Sequence, residues 1–120
     1  MDMVHARIFN VEAAAHGAHT VLEITPSVSP YFHANMYLRL YPINITQPVD
    51  PSTVARAERV QQLPPPTQPA DILAILGDQE NRPYPLFHDV GSHLRGDISL
   101  GWTLATGLFD LREATLTIYQ

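Results

Sequence analysis

Cysteine and lysine are both absent from the 120 residues. Without cysteine these residues hold no disulfide, no thiolate metal site and no cysteine nucleophile of their own. Without lysine, all seven cationic residues are arginines, scattered singly along a chain of net charge -5. No basic stripe forms, so the electrostatic footprint of a nucleic-acid binder is missing. Long apolar runs are missing too: none approaches the roughly 20 residues needed to span a bilayer. "MDMVHARIFN" also lacks the basic-then-apolar order of a signal peptide. The expectation is a protein with no nucleic-acid or membrane partner and a cytoplasmic location.

Local catalytic signatures are equally scarce. No G-x-S-x-G elbow occurs, and Ser27, Ser29, Ser52, Ser92 and Ser99 sit in loop or cap settings. The glycine spacings of a phosphate cradle are absent. His5, His16, His19, His33, His88 and His93 lack any HExxH spacing and read as scattered polar histidines, so neither a metal nor a cofactor is expected. "NIT" at Asn44 fits a glycosylation sequon, a triplet that chance often supplies.

What remains is a chain long enough for one domain, residues 1–120, with an ordinary apolar fraction of 45%. Its charged fraction of 16% is low, which suggests that a partner segment covers part of the surface. "ARIFNVEA" (6–13) and "HTVLEIT" (19–25) read as strands joined by a small-residue turn. "YFHANMYLRLY" (31–41) alternates without a slip: Phe32, Ala34, Met36, Leu38 and Leu40 on one parity, Tyr31, His33, Asn35, Tyr37, Arg39 and Tyr41 on the other. At the strand period of two it predicts a third strand with one apolar and one polar face.

"DPSTVARAERVQQL" then changes period and predicts a helix. Asp50 is its N-cap, Pro51 its first residue, and Val54, Ala57, Val60 or Gln61, and Leu63 its inward stripe, with Arg56, Glu58 and Arg59 outward. "PPP" at 64–66 ends it. Thr67 is expected to cap a second helix, "QPADILAILG", buried through Ile72, Leu73, Ile75 and Leu76, with Gly77 in a left-handed terminus. "YPLFHD" (84–89) reads as an extended edge piece and "VGSHLRGDIS" as a mobile connection. "LGWTLATGLFDLREATLTIYQ" reads as a hairpin with its turn at Asp110–Glu113. Strands grouped apart from helices predict an α+β fold, an antiparallel sheet with two helices on one face.

The polar parity of 31–41 has two readings: a solvated strand face, or the wall of a site. Solvent faces favour threonine, lysine and glutamate, whereas this one carries tyrosine, imidazole and amide groups. Asn35 is also a poor strand residue, so its place there needs a reason. An amide held rigidly and aimed into a cleft is a good donor to a developing oxyanion.

These residues resemble a known family. "FHANMY" resembles the H-T-N-H-[FY] motif of the isopenicillin-N acyltransferase group of cysteine-type N-terminal-nucleophile hydrolases, which act on linear amides. "HTVLEITPSVSP" is similar to the segment that leads into that motif, and "DPSTVARAERVQQL" to the group's S-x-x-R-x-x-R helix. "PADILAILGDQENRPYPLFHD" resembles its short helix, D-x-x-N loop and following strand, and "TLATGLFDLREATLTIYQ" its T-L-x-x-x-x-F/Y-D hairpin. The five segments keep the family order from residue 19 to the end. The resemblance implies a share in a four-layer αββα sandwich, with an N-terminal cysteine as nucleophile and its own α-amine as base. It implies linear amides or acyl-CoA thioesters as substrates, Asn35 as the oxyanion donor, and His33, Tyr37 and His88 as substrate-pocket residues. The chain departs from the pattern at Met36, where the motif has its second histidine, at His88, where arginine is common, and above all in having no cysteine.

Two functions follow as expectations. The first is the C-terminal portion of such a hydrolase or acyltransferase, inert alone and partnered by a nucleophile-bearing N-terminal segment or subunit. The second is a non-catalytic module of the same ancestry that binds a small molecule or self-associates.

Overall fold

Alternating residues at the start of the chain form the first hairpin: β1 (Phe9–Ala13) pairs antiparallel with β2 (His19–Glu23), Val11 opposite Val21. The chain between them turns through His16 and Gly17, both with positive φ, 60° and 78°. Near the other end a second hairpin forms, described further below. The structure is a computed structural model and describes residues 1–2, 4–40, 47–98 and 101–120. Tyr41 and the sequon at Asn44 lie outside these residues, as does Ser99.

Helix α1 (Pro51–Gln62) starts as its sequence dictates. Asp50 accepts the Ser52 N–H at 2.7 Å, and Pro51, which has no N–H to leave orphaned, occupies the first turn. Its inward face differs from the apolar stripe expected. Val54 is exposed and Thr53 is buried, while Arg56 and Arg59, expected outward, are half-buried. Both guanidinium groups find oxygen acceptors under the helix, and those bonds set its rotation more firmly than one valine does.

Helix α2 (Pro69–Leu76) is capped by Gln68, one residue later than expected. The Asp71 carboxylate reaches back to accept the N–H groups of Thr67 and Gln68 at 2.9 and 3.1 Å, and the Thr67 hydroxyl at 2.9 Å. Leu73, Ile75 and Leu76 are half-buried, but Ile72 is exposed. Gly77 ends the helix at φ -87°, not in the left-handed region, with its N–H on the Leu73 carbonyl at 2.9 Å. Among the described residues no helix is long and apolar enough to cross a membrane.

The predicted third strand does not form. Residues 31–40 are irregular, because Glu12 accepts the backbone N–H groups of Leu38, Arg39 and Leu40 at 2.9, 2.9 and 3.0 Å. Successive N–H groups of a strand point to opposite sides, so three that converge on one carboxylate cannot belong to a ladder. "YPLFHD" is not a strand either: the Leu86 and Phe87 N–H groups both bond the Asp78 carbonyl, at 3.0 and 3.1 Å. Of "VGSHLRGDIS", expected to be mobile, residues 90–98 are tightly bonded, with Ser92 and Asp97 buried among them.

The second hairpin pairs β3 (Thr106–Asp110) antiparallel with β4 (Thr115–Tyr119). Its first strand is shorter than the sequence suggests, since 101–105 are not extended in a ladder. Asp110 makes the turn by accepting the N–H groups of Arg112 and Glu113 at 2.9 and 3.1 Å. The fold is therefore α+β, but among the described residues its strands form two separate two-stranded ribbons and not one sheet.

Little of this is dry. Among the described residues the buried hydrophobic side chains are Ala34 and Leu40, both from the irregular segment, while Glu12, Thr53, Ser92 and Asp97 are the buried polar ones. The accessible surface is 8564 Å², where a compact monomer of this mass shows about 6,500 Å². The radius of gyration is 15.8 Å, against about 14 Å for a compact chain of this length. Large apolar side chains on both hairpins stay in solvent, among them Val11, Val21, Leu116 and Ile118.

Candidate functional site

The segment carrying the expected site is held by polar bonds on two sides. On the first side stands the β1–β2 hairpin. Glu12, 2% exposed, is its inward-facing carboxylate. Burial alone would push this carboxyl up, but the three backbone N–H groups and the nearby Arg39 more than offset that, and it falls from 4.5 to about 2. Arg39 lies across the hairpin, donating to Asn10 Oδ1 at 2.6 Å, the Asn10 carbonyl at 3.2 Å, Thr20 Oγ1 at 3.2 Å and the Tyr31 hydroxyl at 3.0 Å. The Tyr37 hydroxyl donates to the Ala13 carbonyl at 2.6 Å. His33 stacks on Tyr31 and brings Nε2 to 3.5 Å from Glu12.

Four members of the polar parity, Tyr31, His33, Tyr37 and Arg39, thus do share a destination, but it is the protein's own hairpin. Tyr37, expected in a substrate pocket, is a strut. His33 is exposed on one side and lies against Glu12 on the other.

Asn35 is turned to the second side, toward α1. Its Oδ1 accepts from Arg56 Nη2 at 3.1 Å, and Arg56 is itself tied to the Ser52 carbonyl at 3.2 Å and to the buried Thr53 hydroxyl at 3.4 Å. A guanidinium has only donors, so the amide atom facing it is the oxygen. The Nδ2 hydrogens of Asn35 therefore face away from Arg56, and the residue is exposed. Three turns of helix are fixed by a second arginine contact: Arg59 grips Asp78 with two bonds, 2.9 and 2.6 Å, and holds that carboxyl below its usual range.

His88 belongs to a different cluster. Its Nδ1 lies 2.7 Å from Asp97 Oδ2, with Asp97 almost fully enclosed. Beside it Asp89 bonds Gln79 at 3.0 Å and Arg95 at 2.6 Å, which together hold its carboxyl down to about 2. Ser92 caps this turn by taking the Asp89 N–H at 2.9 Å. The partners of the four residues differ: His33 and Tyr37 meet the β1–β2 hairpin, Asn35 meets Arg56 of α1, and His88 meets Asp97.

Sequence reasoning missed Glu12, Arg56 and Asp97. Glu12 had a signal, a carboxylate in mid-strand next to Val11, since strands that pack a face rarely hold an unpartnered acid. Arg56 and Asp97 had none that spacing could expose. Comparison of the chain with protein-family models, with curated proteins and with solved structures finds no match.

Proposed function

We propose that this chain is the C-terminal portion of a cysteine-type N-terminal-nucleophile enzyme that hydrolyses linear amides or transfers their acyl groups, and that Asn35 is its oxyanion donor. The nucleophile comes from outside these residues, which contain no cysteine. The observation that carries the reading is the Arg56–Asn35 bond. It joins two of the segments that resemble the family, and it fixes the amide with its acceptor occupied and its donors outward. The Arg59–Asp78 grip joins the helix to the D-x-x-N loop in the same way.

In this reaction the thiol sulfur bonds to the carbonyl carbon while the cysteine α-amine takes the thiol proton. Negative charge develops on the carbonyl oxygen, where the Asn35 Nδ2–H groups stabilise it. The C–N bond breaks, the departing amine takes the proton from the ammonium, and water or an acceptor amine then resolves the thioester. The partner sheet of the αββα sandwich comes with the nucleophile segment and docks beside the β1–β2 hairpin. The exposed Val11 and Val21 supply an apolar seat there.

The isolated chain is expected to be inert toward simple acyl amides, and robust turnover by it refutes the proposal. In the enzyme completed by its nucleophile segment, Asn35→Ala is expected to lower kcat by about 10²–10³ with a smaller change in KM. An unchanged kcat removes Asn35 from the chemistry. Arg56→Leu, which frees the amide to rotate, is expected to lower kcat in the same direction and by less.

A further inference from the structure

We infer that the outer edge of β4 is a self-association surface, on which a second copy of this chain adds its own β4 antiparallel about a two-fold axis at Thr117. The inference does not rest on the proposed function. Three observations lead to it.

The first is one uncharged face. The register sets Gly107 opposite Ile118 and Phe109 opposite Leu116, so these four residues share one side of the ribbon. A Cβ placed on Gly107 would lie 3.5–3.7 Å from the tips of Leu116, Phe109 and Ile118, which shows that the three side chains gather over the glycine. All three remain about half exposed, at 47, 50 and 53% for Phe109, Leu116 and Ile118. No charge interrupts this face.

The second is an unguarded edge. Every residue of β4 is exposed, whereas alternate residues of β3 are half-buried, so β4 is the outward strand. Among the described residues it pairs with β3 alone. Natural edge strands carry lysine, proline, a bulge or an inward charge to prevent pairing. "TLTIY" has none of these, and its register with β3 runs unbroken. The first hairpin differs: its β2 end is guarded by Glu23, held by Arg7 through bonds of 2.8 and 2.7 Å.

The third is area. The chain exposes 8564 Å², about 2,000 Å² beyond a compact monomer of its mass. A stable dimer needs about 800 Å² from each partner. Identical antiparallel strands centred on Thr117 come into register automatically, with Leu116 facing Ile118 of the other copy. The result is a four-stranded sheet with a doubled apolar face.

The absence of cysteine makes the test clean, because an introduced thiol can pair only with its own copy. Analytical ultracentrifugation of the full chain is expected to show a concentration-dependent dimer. Thr117→Cys is expected to form a disulfide-linked dimer on mild oxidation, since facing residues of antiparallel strands have Cα atoms about 4.5–5.5 Å apart, within disulfide range. Val21→Cys, also exposed but on the first hairpin, is expected to stay unlinked. Ile118→Lys is expected to abolish the dimer while the circular-dichroism spectrum stays unchanged. A chain that is monomeric at all concentrations overturns the inference, and so does linkage at Val21→Cys equal to that at Thr117→Cys. If an added nucleophile-bearing segment alone covers β4 and the chain by itself stays monomeric, the edge belongs to that segment and the inference fails.

Discussion

The two hairpins have the same number of strands and the same antiparallel pairing, yet they are stabilised in different ways. The first is strapped: Glu12, Tyr37 and Arg39 bind it to the segment after Pro30 through side-chain-to-backbone bonds that no ladder supplies. The second is barer: among the described residues it is tied by its own ladder and by the Asp110 turn, with Phe109, Leu116 and Ile118 about half in water. A polar strap can hold a ribbon without a dry core, but it fixes the chain that makes it into an irregular path. A bare ribbon keeps its edge regular and open. The price of the strap is the third strand.

That contrast can be broken experimentally, most forcefully at Glu12. Glu12→Ala removes the acceptor of three backbone N–H groups and leaves the Arg39 charge poorly compensated. Losing one member of such a buried network is expected to cost about 3 kcal/mol in urea unfolding. The β3–β4 association is expected to survive in whatever fraction stays folded. If Glu12→Ala unfolds no more readily than the parent chain, the strap is not what holds this region.

Acid should separate the hairpins without mutation. The Glu12 carboxyl is depressed in the folded state, from 4.5 to about 2. Its contribution is complete above pH 4.5 and disappears as the pH falls through about 2, because the protonated acid cannot accept the three N–H groups as strongly. The amide-proton shifts of Leu38, Arg39 and Leu40 should titrate together with a midpoint near 2. Shifts in β4 that follow the same curve would show the two ribbons to be coupled, contrary to this account.

Smaller effects sharpen the comparison. Tyr37→Phe deletes one bond of the strap, the hydroxyl on the Ala13 carbonyl, and is expected to cost about 1 kcal/mol. Ile118→Thr, on the bare ribbon, is expected to change the stability of the monomer by less than about 0.5 kcal/mol, since its side chain is already in solvent. Equal costs for the two substitutions would erase the distinction.

What was legible in the sequence follows the same division. Both hairpins and both helices could be read from period, caps and turns, because local chemistry decides them: Asp50 and Pro51 open α1, and Asp110 turns β3 into β4. The alternation of 31–41 was legible as well, and four of its polar residues do face one way. The error lay in equating alternation with a ladder. Glu12, nearly twenty residues upstream, claims the N–H groups that a ladder would need. No window centred on the segment contains that competitor. The rotation of α1 failed for a related reason, since Arg56 and Arg59 turn inward toward Asn35 and Asp78, which are distant in sequence. Of the expected site, Asn35 stood out through its poor strand propensity, while the Asp97 partner of His88 lay beyond any sequence pattern.

The arginines carry one more consequence. Arg7 is held by Glu23, Arg39 by Asn10 and its neighbours, Arg56 by Asn35 and α1, Arg59 by Asp78, and Arg95 by Asp89. With no lysine in reserve, Arg82 and Arg112 are the arginines without such an acceptor among the described residues. Five of the seven guanidinium groups are thus already engaged by oxygen acceptors, two of them, Arg7 and Arg95, at the surface, on a molecule of net charge -5.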